Sequence, residues 1–488
     1  AAAITVALEG DGATCLLAEK GTMPGGNSPY CKGTVVYAED EEAFNQYMLE
    51  MRGEEGTTPD DVIAAYAKGA VENYSWVFDT LGGVVEEASI IAPTTKDDPL
   101  KSTPEWPEFE HCYALGKLTV AGKKDVEIKG DKHITKLLDR VIADHSDVIE
   151  YRTGAPMSEL IQDPGTKQIL GAVIDGKNVK ANKGVIMCTG GFEANPTMRQ
   201  DFIGQGGAHP AVGKPVNTGD GHKACMKIGA DFWHMEHVAG FWMAGRDLEN
   251  TKFTNNQIIS PCPKQYGITV GVNGRRYYMD WDGYSNKSDI AYMDDPSVSV
   301  GSRHGHMQIG GEWPHLAQPR KAWFVFDQAI VDGVKDDTGK LTSDIEDGKA
   351  RGELVQADTI EELALAMDAD PAILQATLED WNGYFDADEP ADLKFRRSLE
   401  TAAQKIQTGP FYACKHNSKV LVNVSGLIIN EHAQVLNNEE EVIEGLYATG
   451  NVSGGMFSIS YPRHLPATSV GRAVTFGYVA AKHAIKGE

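Results

Sequence analysis

Near the C-terminus the stretch SYPRHLPATSVGRAVTFG, residues 460–477, gathers side chains able to hold negative charge. Tyr461, Arg463 and His464 are donors or cations, and Pro462 and Pro466 stiffen the loop that carries them. Apolar positions at helical spacing follow: Val470, Ala473, Val474, Gly477, Ala480, Ala481 and Ala484. Donors fixed where an oxygen gains charge favour a transition state, and a helix start adds free N–H groups and partial positive charge. The competing readings are ordinary salt bridges for Arg463 and His464 and an ordinary buried helix with a Thr/Ser cap. A second group lies in GITVGVNGRRYYMDWDGYSNKSDI, residues 267–290, where an Asn273-Gly274 turn between two strand-like runs predicts a hairpin. A phenol, ordinarily near pKa 10, can pass a proton to or from carbon beside an activated group when its surroundings stabilise the phenolate. Tyr284 is the candidate, although Tyr277, Tyr278 and Tyr284 also suit a plain strand.

The elements that must position these groups read as α/β. AAAITVALEGDGATCLLAEKG predicts a small-residue helix over Ala1–Glu9, a turn at Gly10-Asp11-Gly12 and a strand over Ala13–Ala18 that ends on Glu19. That is the second half of a βαβ unit, in which an acidic residue ending the strand takes a ribose hydroxyl. No Gly-x-Gly-x-x-Gly occurs anywhere in the chain. Gly25-Gly26-Asn27-Ser28 forms a loop that backbone can bring close to a ligand. GVIMCTGGF (184–192) and GLYATGNVSGG (445–455) each predict an apolar strand running into glycines.

EKG…GGNS, CTGGFE, NTGDGHK (217–223) and GLYATGNVSGG…ATSVGRAVTFG, in this order, resemble the flavoprotein family of soluble fumarate reductases and 3-ketosteroid dehydrogenases. The resemblance covers essentially the whole chain. It implies a Rossmann-like FAD-binding domain, discontinuous at 1–240 and 424–488, enclosing an α+β capping domain at 241–423. It further implies that the chain starts downstream of the first glycine loop. Glu19 would hold the adenosine ribose, and Gly25, Gly26, Asn27 and Ser28 would line the diphosphate and flavin side. Gly190 and Gly191 would pass near the adenine half, while Asp220, Gly450, Asn451, Ser469 and Val470 would approach the flavin. FAD is expected to be noncovalent, because Asn27-Ser28-Pro29 stands where the family's linking histidine would fall.

The same resemblance assigns chemistry. Tyr284 matches the catalytic tyrosine of the ketosteroid dehydrogenases, at the position where fumarate reductases carry a proton-donating arginine. Tyr461-Pro462 resembles the Tyr-Pro whose hydroxyl helps bind a substrate ketone, so Tyr461, Arg463 and His464 are the candidate electrophilic site. Phe241-Trp242 and Leu421-Val422 stand where fumarate reductases carry dicarboxylate-binding histidines. Such a pocket would not compensate two desolvated carboxylates. The expected reaction is reduction of a carbonyl-activated carbon–carbon double bond in an apolar, uncharged small molecule. Desaturation of a 3-ketosteroid-type substrate is the alternative, although Arg-His-Leu replaces the steroid-type glycine loop. A non-catalytic binding remnant of the fold is the third reading.

Composition narrows the partners. The 488 residues carry a formal charge of −25, so a nucleic-acid backbone would be repelled. No apolar run is long enough for a transmembrane segment, and the seven cysteines include no Cys-x-x-Cys pair. The histidines of RHGHMQIGGEWPH (303–315) read as a capping-domain loop, and no metal ligand is expected. Electrons are expected from a separate donor or to a separate acceptor. A cytoplasmic site, or export by a signal ahead of Ala1, are both left open.

Overall fold

The computed structural model describes residues 1–31, 33–54, 56–85, 111, 115–122, 134–204, 209–210, 215–244, 266–277, 322–333, 340–387, 389–395, 397, 399, 403–456 and 468–487. The chain forms two compact units. The first comprises Ala1–Ile203, Val212–Ala239 and Val422–Glu488, and the second Gly204–Ala211 and Gly240–Leu421.

In the first unit the helix Ala2–Glu9 is followed by the strand Cys15–Glu19, which pairs in parallel with Ile149–Thr153. The turn between helix and strand bends at Asp11 and Gly12, with φ of 42° and 86°. A second parallel pair joins Val185–Met187 to Leu446–Ala448 of the strand Val442–Ala448, whose other side pairs with Gln434–Leu436. The run 184–192 yields only this three-residue strand, since Gly190 turns the chain at φ 71°.

The C-terminal helix Thr468–Lys486 anchors the unit because small residues let its neighbours approach. A Cβ on Gly471 would lie 2.2 Å from Val36 Cγ1, and one on Gly69 would lie 2.1 Å from Thr475 Cγ2. At the second crossing the Tyr478 hydroxyl donates to Gly69 O at 3.1 Å, so the contact with the helix Asp60–Ser75 is bonded as well as packed. Phe44, Tyr47, Tyr66 and Phe476 fill the core beside it.

The second unit is built on the strand Phe411–Asn423, which pairs antiparallel with Ala322–Asp327 and with Leu354–Ala357. Ala322–Asp327 also pairs with Ile268–Gly271, the first arm of the expected hairpin, and Gly271 N–H closes the Asn273-Gly274 turn on Arg275 O at 2.9 Å. The helices Ile360–Ala366 and Pro371–Asp386 bury Leu363, Leu374, Leu378 and Trp381. The Arg276 guanidinium lies 4.7 Å over the Trp381 ring and 3.4 Å from buried Asp392, so its charge is compensated.

Candidate cofactor site

Glu19 ends the first strand opposite Thr153, and its Oε1 accepts the Gly21 N–H at 2.7 Å. The chain then loops back over it. Gly25 and Gly26 take φ of 82° and 54°, a Cβ on Gly26 would lie 3.5 Å from Glu19 Oε2, and Gly25 N–H donates to the Tyr151 hydroxyl at 3.1 Å. Ser28 opens the 3-10 turn Ser28–Tyr30 and is exposed. Lys20, next to Glu19, donates to Asp220 Oδ2 and Thr218 Oγ1, each at 2.6 Å. Burial alone would raise the Asp220 carboxyl, but the hydrogen bonds from Lys20 and Thr218 outweigh it and hold it below its ordinary value. Asp220 is thus tied to the Glu19 end of the site, and the sequence reading had grouped it with Gly450, Asn451 and Ser469.

Gly190 and Gly191 follow the strand Val185–Met187, which belongs to the other parallel pair. A Cβ on Gly190 would lie 2.8 Å from Asn217 Oδ1, and one on Gly191 would lie 2.4 Å from Glu193 Oε2. Glu193, absent from the sequence assignment, joins the loops: it accepts from Asn217 Nδ2 at 2.5 Å, and the Asn27 side chain also hydrogen-bonds its carboxylate. Burial pushes its carboxyl up to about 7, against the smaller opposing pull of Asn217, Asn27 and Arg199. His222 was also missed. It is fully buried, edge-on to Phe192 at 5.4 Å, and burial pushes its imidazole down to about 4.

A measurable consequence follows from Glu193. Its folded value of about 7 exceeds the ordinary 4.5, so the folded state holds the proton more tightly and stability from this group is lost as pH rises from about 4.5 to about 7. Glu193→Gln keeps the Oε1 acceptor and removes the ionisation. The variant is expected to gain on the wild type by of order 3 kcal/mol between pH 5 and pH 8. Thermal melts at the two pH values check this, and an unchanged difference would sink the assignment.

The third cluster forms where the residues after the strand Val442–Ala448 meet the start of the helix Thr468–Lys486. Gly450 turns at φ 73°, Ser469 Oγ donates to Asn451 Oδ1 at 2.9 Å, and Val470 is half-buried. Arg472, wholly buried, donates from one Nη to Gly450 O at 3.0 Å and to Asn451 Oδ1 at 3.4 Å. A fixed positive charge therefore adds to the positive end of the helix. Sequence reasoning passed over Arg472. The signal was an arginine one turn after Ser469 on an otherwise small and apolar face.

Tyr284, Tyr461, Arg463 and His464, with the 303–315 histidines, lie outside the described residues.

Glycines that a side chain would block, an acidic residue ending a parallel strand, and a cationic helix start define a nucleotide-cofactor domain of α/β class. The chain belongs to the FAD binding domain family, whose model matches residues 1–464, and FAD is its cofactor. It is 30% identical over 329 residues to the 3-oxosteroid 1-dehydrogenase of Mycolicibacterium smegmatis, covering 62% of this chain and 52% of that protein. It superposes on the 3-ketosteroid delta1-dehydrogenase of Sterolibacterium denitrificans with a TM-score of 0.67 at 18% identity, over 99% of this chain and 97% of that one. With a flavocytochrome c3 fumarate reductase the TM-score is 0.65 at 19% identity, over 99% and 76%. The fold is therefore the FAD-binding flavoprotein fold of the fumarate reductase and ketosteroid dehydrogenase type. The chain spans about half the length of the curated relatives it first matches.

Proposed function

We propose that this chain serves an oxidoreductase that reduces a carbon–carbon double bond activated by a carbonyl group, with residues 241–423 acting as the capping domain. The observation that carries the reading is the Gly450–Asn451–Ser469–Arg472 cluster at the start of a 19-residue helix, whose Gly450 and Asn451 share with the Glu19 loops one family match over residues 1–464. When bound, reduced FAD would supply the hydride, and the negative charge that the reduced flavin carries before transfer would lie at this end of the site. Glu19 accepts from ribose hydroxyls, while Gly25, Gly26, Asn27, Ser28, Gly190 and Gly191 leave room for the diphosphate and adenine half. Arg472 and the helix start offset negative charge at the flavin end. Tyr284 delivers the proton to the substrate carbon, and Tyr461, Arg463 and His464 hold the carbonyl oxygen. Phe241, Trp242, Leu421 and Val422 favour an apolar, uncharged substrate, and a separate carrier exchanges the electrons.

The 30% identity to a 3-oxosteroid 1-dehydrogenase favours a second reading, the same residues working in the oxidative direction. One pair of measurements tests the first. Acid precipitation is expected to release the yellow chromophore into the supernatant, as noncovalent FAD requires. Oxidation of a reduced dye is expected to be fast with a bulky uncharged enone and slow with fumarate. Colour retained in the pellet defeats noncovalent binding, and fumarate turnover matching the best enone defeats the substrate class.

A further inference from the structure

The turn between the strands Phe232–Trp233 and Val238–Ala244 carries His234-Met235-Glu236-His237, which the sequence reading did not single out. An extended chain would scatter these donors. Here the His237 N–H closes on His234 O at 2.9 Å, and His234 takes φ 36°, in the left-handed region that residues other than glycine seldom occupy. The result places His234 Nδ1 3.5 Å and His237 Nε2 3.6 Å from the same oxygen, Glu236 Oε1. All three ligand atoms lie within 4.8 Å of one another.

Neighbours hold the turn in this form. Trp233 packs against both imidazoles, with ring centroids 4.3 Å from His234 and 5.1 Å from His237, and its indole N–H donates to Thr57 Oγ1 at 2.9 Å. The Val424 N–H donates to His237 O at 3.3 Å, and the Ser425 hydroxyl to Met235 O at 3.4 Å. A strained residue kept in place by surrounding bonds is a reason to look for function.

Metal geometry supplies the next step. Zinc bound tetrahedrally at about 2.0–2.1 Å separates its donors by roughly 3.3 Å. Two of the three donor separations already stand close to that value, and small rotations of the exposed His234 and Glu236 side chains would close the third. Two imidazoles with one carboxylate suit zinc and related first-row cations, whereas calcium and magnesium favour all-oxygen sets.

We propose that His234, Glu236 and His237 bind one zinc-class divalent cation, with a fourth corner left to water. The cation would fix the turn itself, which stands beside the C-terminal glycine segment, where a Cβ on Gly454 would lie 3.1 Å from the Trp233 Cβ. This site does not depend on the reaction assigned above.

The test is calorimetric titration of the chelator-treated, FAD-loaded protein with zinc chloride. One zinc per chain is expected. His234→Asn, chosen because Asn tolerates the left-handed conformation, and Glu236→Gln should each weaken binding by about 100-fold or more, with flavin content and zinc-free melting unchanged. His237→Gln should do the same. No zinc uptake by the wild type, or unchanged affinity in all three variants, overturns the proposal, the latter by placing the ion on other side chains.

Discussion

Tyr284→Phe is expected to lower turnover by about 10²–10⁴-fold while leaving flavin content unchanged, which is what loss of a general acid costs. The substitution keeps the ring and its packing and deletes only the hydroxyl. A proton donor acts in the step that forms the new C–H bond, so kcat and kcat/KM should fall together. A tyrosine that merely packs would behave otherwise: melting temperature would drop, and the rate per folded, flavin-loaded molecule would stay near the wild-type value. Rapid mixing of the reduced protein with an enone separates the outcomes, because it reads the chemical step without the electron donor. Near-wild-type reoxidation in the variant removes Tyr284 from the mechanism.

The backbone turns of the candidate nucleotide end are legible in the sequence because their constraints are local. A strand that stops on Glu19 and glycines at Gly25, Gly26, Gly190 and Gly450 are backbone requirements, and all four glycines adopt positive φ. Ser469 beside Asn451 is legible for a similar reason, since a hydroxyl at a helix start is a capping signal even before its partner is known. What the sequence conceals is what depends on burial. Glu193, His222 and Arg472 look like surface residues in a chain with seventy acidic and forty-five basic side chains, yet the fold buries each of them. Their partners come from distant positions: Asn27 and Asn217 for Glu193, Gly450 and Asn451 for Arg472. Asp220 illustrates the same limit, because only the fold reveals that Lys20, two hundred residues earlier, takes its carboxylate. The His234–His237 turn escapes sequence reasoning for another reason. Its donors converge only through a left-handed backbone value at a histidine, which no residue pattern announces.

Tyr461→Phe is expected to cost roughly 10²-fold in turnover and to weaken binding of ketone ligands as well, a combination that distinguishes it from the proton donor. Its proposed partner is the carbonyl oxygen, which accepts a hydrogen bond in the ground state and a stronger one as charge develops. Removing one of several donors leaves Arg463 and His464 in place, so the loss should be smaller than that at Tyr284. A donor to the oxygen is used in both directions of the reaction, hence reduction and desaturation should slow by similar factors. The inhibition constant of an unreactive saturated ketone, measured beside the rate of flavin reoxidation, reads the two effects separately. A slowed rate with unchanged ketone affinity would move Tyr461 away from the oxygen and toward proton transfer. An unchanged rate with a lower melting temperature would make it a packing residue, and the electrophilic site would then have to be sought elsewhere.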